Sequence, residues 1–177
     1  DFSAFDLTGY QVVRGQFMSS RTELPLMTIT NEKITFNSSC TRKLADATHV
    51  QLLLHPTERK IAIRPCTKED VFSISWLSKA QLPLNAKTIV CGHFCNALFQ
   101  IMDWNPDYSY KILGTAIEKM NDQIIIFNLP NAMPSIVIAE EDGDEQRKRR
   151  MKICPEEWGD SFGSEFYDFS LDNSLYY

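Results

Sequence analysis

The 177 residues are 44% hydrophobic and 23% charged, with a formal net charge of −5, the balance of an ordinary globular domain. This excludes a wholly disordered chain, a collagen-like repeat and a disulfide-dense miniprotein, and no apolar run approaches the roughly 20 residues of a bilayer-spanning helix. The charge is unevenly placed, because residues 1–139 hold 13 Lys and Arg against 12 Asp and Glu while residues 140–177 hold 5 against 11. A near-neutral body neither demands nor forbids nucleic acid, since a local patch matters more than the sum. The start, Asp1-Phe2-Ser3, has no initiator methionine and no basic-then-apolar leader. It reads as a processed chain or a domain cut from a longer one.

In chain order, residues 9–20 (GYQVVRGQFMSS) suggest one extended segment. Leu26–Thr30 and Ile34–Asn37 are β-rich runs separated by Asn31-Glu32-Lys33, the pattern of a hairpin. Asn37 suits a helix N-cap, its side-chain oxygen taking an otherwise unpaired amide, and SSCTRKLADA places Cys40 and Leu44 on one helical face. The apolar run His49–His55, a polar turn at 56–60 and the alternating IAIRP of Ile61–Pro65 read as two further strands. The order is strand, short helix, strand, turn, strand.

The same order returns. TIVC (Thr88–Cys91) is a strand, HFCNALFQIMDW (His93–Trp104) an amphipathic helix ended by Pro106, Tyr108–Ile117 a strand, EKMNDQ a turn, and Ile124–Leu129 a closing strand. Laying Leu44 on Leu98 aligns Thr35 with Ile89 at an offset of 54 residues without a gap. The later hairpin then requires a nine-residue insertion. The expected fold class is α+β, with pseudo-repeats at about 26–66 and 88–130 forming one domain over 1–139. FSISW (72–76), between the repeats, suits an extra strand. EEDGDEQRKRR reads as a solvated loop, so 140–177 is expected to be an acidic loop and an aromatic tail. Its Trp158, Phe162, Phe166 and Tyr167 are expected to fold back onto the body.

Little points to catalysis. There is no Gly-rich phosphate loop, G-x-S-x-G elbow or HExxH motif. Cys91 and Cys95 stand four apart, as two metal ligands on a helix would, but a second ligand pair is missing and both lie in an apolar run, where cysteine packs as a small hydrophobe. No catalytic residue, cofactor or metal is expected. Five cysteines without a CxxC pair suit a reducing, cytoplasmic compartment. HPTER (His55–Arg59) resembles the histidine–arginine box of tyrosine recombinases, but with one residue too many and on a hairpin turn. Without an arginine cluster, Tyr176 and Tyr177 have nothing to activate them as nucleophiles.

The stretch ITFNSSCTRKLADATHVQLLLHPTERKIAIRP (Ile34–Pro65) resembles the swapped-hairpin module of AbrB-type transition regulators and of MraZ. TRKL stands at the basic helix end and IAIRP at the closing strand; TFN replaces the usual IP start, and Ala47-Thr48-His49 the usual Gly-Asp corner. The resemblance implies a pseudo-dimeric β-barrel, as a monomer or a homodimer, with double-stranded DNA as partner. Arg42, Lys43 and Arg64 match its basic positions. Residues 21–66 hold seven Lys and Arg against four Asp and Glu, which adds Lys33, Arg59 and Lys60 to the candidate nucleic-acid set. The chain is also similar to uncharacterised proteins of bacterial mobile elements labelled integrase. The expected function is a DNA-binding or DNA-associated accessory or regulatory protein; the alternatives are a protein-interaction module using the acidic aromatic tail, and part of an integrase or site-specific recombinase. No membrane partner is expected.

Overall fold

The computed structural model describes residues 6–14, 23–77, 85–119, 122–142, 145–152 and 162–167. The protein is a mostly-sheet small domain with few helices. It divides into a small unit of residues 1–21 and 154–177, which holds β1 (Gln11–Val13), and a larger unit of residues 22–153. In the larger unit β2 (Leu26–Ile29) and β3 (Lys33–Phe36) form a hairpin, followed by α1 (Ser38–Lys43), β4 (His49–His55), β5 (Lys60–Cys66) and the short β6 (Ile74–Ser75). Then come β7 (Lys87–Val90), α2 (Gly92–Met102), β8 (Ser109–Lys119) and β9 (Asp122–Asn128). A single 3-10 turn (Leu129–Asn131) leads into β10 (Met133–Asp142) and β11 (Glu145–Lys152).

The ten strands β2 to β11 form one antiparallel, curled half-barrel sheet. The order is β6-β4-β5-β9-β8-β2-β3-β7, with β10 on β8 and β11 on β10. Period-two patterning decides which face is buried: Met27 and Ile29, Ile34 and Phe36, Ile61 and Ile63, and Ile125 and Phe127 are fully buried, while Ala62 and Arg64 are not. α2 adds Cys95, Leu98 and Phe99, the i, i+3, i+4 stripe of an amphipathic helix. It stops at Met102, where Asp103 turns left-handed (φ 53°) and the Trp104 amide donates back to the Phe99 carbonyl. Trp104 lies outside the helix, stacked on Tyr110 at 4.1 Å between ring centroids.

β8 serves two sets of partners. Residues 110–113 pair with β2, and residues 114–119 pair with β9. Gly114 sits at the changeover, its amide bonded to the Pro25 carbonyl at 2.8 Å. A Cβ there would lie 2.5 Å from the Phe127 ring and 2.9 Å from Ile125. Phe127 cannot easily retreat, because it is fully buried and packs on Phe36, which packs edge-on against Trp76.

The stretch expected as a solvated loop is a hairpin instead. β10 runs through the expected boundary at 139, and β11 pairs with it from Ser135↔Lys152 to Asp142↔Glu145. The β-branched run Ile136-Val137-Ile138 and the Gly143-Asp144 dipeptide between the strands are the local signals for this.

In the small unit β1 pairs antiparallel with β12 (Gly163–Glu165). A Cβ on Gly163 would fall 1.6 Å from the Val12 carbonyl oxygen, so this pairing demands glycine. Phe162 and Tyr167 are exposed and Phe166 is half-buried; Trp158 lies outside the described residues. Among the described residues no helix is long and apolar enough to cross a membrane.

Overpacking a rigid core site costs about 1–3 kcal/mol, so Gly114→Ala should lower the chain's stability by that amount in denaturant unfolding. Gly92→Ala, at the open first residue of α2 with nothing within 4 Å, should leave stability unchanged or raise it by about 0.5 kcal/mol.

Candidate nucleic-acid interface

α1 exists because Asn37 ties two elements together. Its Oδ1 accepts from the Cys40 amide at 3.1 Å, capping the helix, and from the Leu26 amide at 3.0 Å. Its Nδ2 donates to the Leu24 carbonyl at 3.0 Å. Cys40 and Leu44 are buried beneath the helix, which leaves Arg42 and Lys43 exposed in its last turn. Arg42 Nη1 donates to Ser38 Oγ at 3.2 Å. Both cations line an open cavity of about 550 Å³ with Glu23, Ser39 and Gln123. Lys43 and Gln123 also line a neighbouring cavity of about 410 Å³, whose wall carries Asp46, Glu118 and Asp122. Arg42 and Lys43 thus share one cavity with Glu23, and Lys43 alone shares the other with three carboxylates.

The other candidates fall elsewhere. Arg64 and Lys60 lie on the outward face of β5, about 13 Å apart along the strand. Arg64 Nε donates to Gln51 Oε1 at 2.9 Å, and Gln51 Nε2 in turn donates to the Val71 carbonyl at 2.6 Å. Lys60 Nζ is 2.9 Å from Glu58 Oε2. That hydrogen bond and the lysine charge hold the Glu58 carboxyl below its usual range, with a smaller contribution from His55. Arg59 occupies the β4–β5 turn with φ 55°, its carbonyl accepting the Leu129 amide at 3.0 Å. Lys33 begins β3 opposite Val90. Three strands (β9, β8 and β2) separate β3 from β5, a span of about 19 Å along the sheet. The structure therefore groups Arg42 with Lys43 and Arg59 with Lys60, leaves Lys33 apart from β5, and brings Pro65 and Cys66, next to Arg64 in the chain, to the cavity that Lys43 lines.

Compared with family models, curated proteins and solved structures, the chain matches none. The functional reading therefore rests on geometry.

The β11 cations are a further set. All five Lys and Arg beyond residue 139 lie on this strand: Arg147, Lys148, Arg149, Arg150 and Lys152. In the sequence they stand beside an acidic block that would screen them. The hairpin register separates the two blocks. Only Arg147 has an acid, Glu140, as its cross-strand partner, while Lys148, Arg149, Arg150 and Lys152 oppose Ala139, Ile138, Val137 and Ser135.

His55 and Arg59, of the recombinase-like box, lie at a solvent-exposed hairpin turn, where His55 Nδ1 accepts the Glu58 amide at 3.0 Å. Tyr176 and Tyr177 lie outside the described residues. The Cys91 and Cys95 sulfurs are 3.6 Å apart at the start of α2. Burial, together with the neighbouring Cys91 thiol, pushes the Cys95 thiol up to about 12, and burial pushes Cys40 to about 11. Thiols so shifted stay protonated at neutral pH, and the thiolate is the form that binds metal and reacts. No group of three His, Cys, Asp or Glu gathers at ligand distance among the described residues. Elemental analysis of the native protein should therefore return less than one zinc per chain, and at pH 7.5 Cys40 and Cys95 should be alkylated only upon unfolding. Stoichiometric zinc would overturn the assignment of this pair to packing.

Proposed function

We propose that the chain is a pseudo-dimeric swapped-hairpin protein that binds duplex DNA, acting as a DNA-associated accessory or regulatory protein. The observation that carries this reading is the exchange of strands between its two halves. Each half runs strand, helix, hairpin: β3-α1-β4-β5 and β7-α2-β8-β9. β3 pairs antiparallel with β7, centred between Ile34–Thr35 and Thr88–Ile89, and β5 pairs antiparallel with β9. The strand leading into each half then crosses to the other half's hairpin, β2 onto β8 and β6 onto β4. An approximate twofold relating the halves accounts for all four pairings at once. It supports the resemblance of Ile34–Pro65 to the AbrB-type and MraZ modules, and with it Arg42, Lys43 and Arg64 as phosphate contacts. α2, which matches α1 in this scheme, has no Lys or Arg, so one half binds and the other completes the fold.

One specific feature favours a protein-interaction module as a second reading. Arg42 and Lys43 line a cavity with Glu23, and Lys43 a second one with Asp46, Glu118 and Asp122, a neighbourhood that disfavours phosphate, and the small unit exposes Phe162 and Tyr167.

A duplex titration followed by fluorescence anisotropy separates the two. Non-specific binding through a few phosphate contacts predicts a Kd on the order of 10⁻⁴ to 10⁻⁶ M at physiological salt, weakening steeply as salt rises. Replacing Arg42, Lys43 and Arg64 together by Ala should reduce the log–log salt slope by about 2.7, roughly 0.9 for each phosphate no longer neutralised. No anisotropy change at roughly 100 μM protein in low salt, the weak end of that range, would defeat the DNA reading and favour the interaction module.

A further inference from the structure

The β10–β11 hairpin leaves the sheet. β8 pairs only with Met133–Ser135 of β10, so the seven residue pairs from Ile136↔Met151 to Asp142↔Glu145 continue as a two-stranded ribbon of about 24 Å. Among the described residues neither edge of this ribbon has another strand partner. Its root is fixed: the Ser109 and Ser135 hydroxyls are 2.8 Å apart, and both residues are buried.

Charge is sorted along the ribbon. Glu140, Glu141, Asp142 and Glu145 occupy the far end with Arg147, and Lys148, Arg149, Arg150 and Lys152 occupy the part nearer the sheet. Arg150 and Lys152 stand about 10 and 17 Å along the ribbon from the Glu140↔Arg147 pair. At physiological ionic strength the Debye length is about 8 Å, so the acidic end does not neutralise them.

We infer that Lys148, Arg150 and Lys152 on one face of the ribbon root, with Arg149 on the other, form a second contact surface for duplex DNA, the root lying in the major groove between the two phosphate backbones. The inference rests on the DNA-binding reading for its ligand class, but on a different set of residues. Two observations select a polyanion over a second copy of the chain. Antiparallel self-pairing of β11 about its centre would set Arg147 against Arg150 and Lys148 against Arg149, and like charges directly opposite destabilise a strand pair. A two-stranded ribbon also has the width that the B-DNA major groove of about 12 Å admits. Of the polyanions, a duplex supplies phosphates continuously along the roughly 14 Å from Lys148 to Lys152, about one charge per 1.7 Å of its axis.

The test uses the full chain and a labelled 20-base-pair duplex in a salt series. Lys148→Gln, Arg149→Gln, Arg150→Gln and Lys152→Gln together should weaken binding at least tenfold in low salt and cut the log–log slope by about 3.6, roughly 0.9 per phosphate. The effect should add to that of the Arg42, Lys43 and Arg64 variant. A slope unchanged by the ribbon variant, with the other variant still impaired, overturns this inference and leaves the DNA reading standing; no duplex binding by the native chain defeats both. Lysine acetylation footprinting of the native chain serves if the variant fails to fold, with Lys148 and Lys152 expected to be protected by duplex. Unprotected lysines together with an aggregating variant would mark the charges as a guard against strand-edge pairing and overturn the proposal. Stronger protection by polyglutamate than by duplex would also overturn it, in favour of an acidic protein partner.

Discussion

The sheet depends on one missing methyl group. At Gly114 the strand β8 changes its principal partner from β2 to β9, and the Phe127 ring occupies the space that any side chain would need. Because Phe127 reaches across to Phe36, and Phe36 to Trp76, that contact joins residues from β9, from β3 and from the segment after β6 in one aromatic cluster. A larger residue at 114 would push β8 away from β9. The cluster is not perfectly satisfied. Trp76 is almost wholly buried, and its indole N–H meets no acceptor among the described residues, so its ring stabilises by packing while its polar atom costs something.

From that seam the positions of the charged side chains follow. With Ile61 and Ile63 directed into the core, Arg64 must emerge on the opposite face of β5. With Asn37 fixing the start of α1 and Cys40 and Leu44 buried, Arg42 and Lys43 must emerge at its end. The core therefore places these cations at the surface, and local partners hold several of them: Ser38 for Arg42, Gln51 for Arg64, Glu58 for Lys60. Exposed partners of this kind contribute little to stability. They do set the direction each cation faces before any ligand arrives.

Much of the fold was legible in the sequence, because the signals were local. The 26–37 hairpin, the Asn37 cap, and the strand, helix, hairpin order of both halves follow from period-two and period-3.6 patterning and from capping chemistry. Which strands lie side by side was not legible, since pairing β2 with β8 or β5 with β9 depends on residues more than 60 positions apart. The β10–β11 hairpin was hidden for a different reason. Its charge composition is that of a loop and masks the β-branched run Ile136–Ile138 and the Gly-Asp dipeptide after Asp142. The candidate site was legible as residue types and not as a surface, because a sequence window counts cations without showing the carboxylates that the fold brings beside them. Glu118 and Asp122 are far from Lys43 in the chain and line the same cavity.

The two cation sets differ in one physical respect, and it bears on which of them meets a polyanion first. Arg42 and Lys43 line one cavity with Glu23, and Lys43 lines a second with Asp46, Glu118 and Asp122, so an approaching phosphate meets carboxylates as well as cations. On the ribbon a register beginning at Asp142↔Glu145 sets Glu141 opposite Gln146 and Glu140 opposite Arg147, and leaves Lys148, Arg149, Arg150 and Lys152 opposite Ala139, Ile138, Val137 and Ser135. A net charge near zero over the whole ribbon is then compatible with a strongly positive root. Within about one Debye length a ligand senses the root and not the sum. In the proposed DNA complex the acidic end would repel phosphate from the tip and so restrict which way a duplex lies against the ribbon.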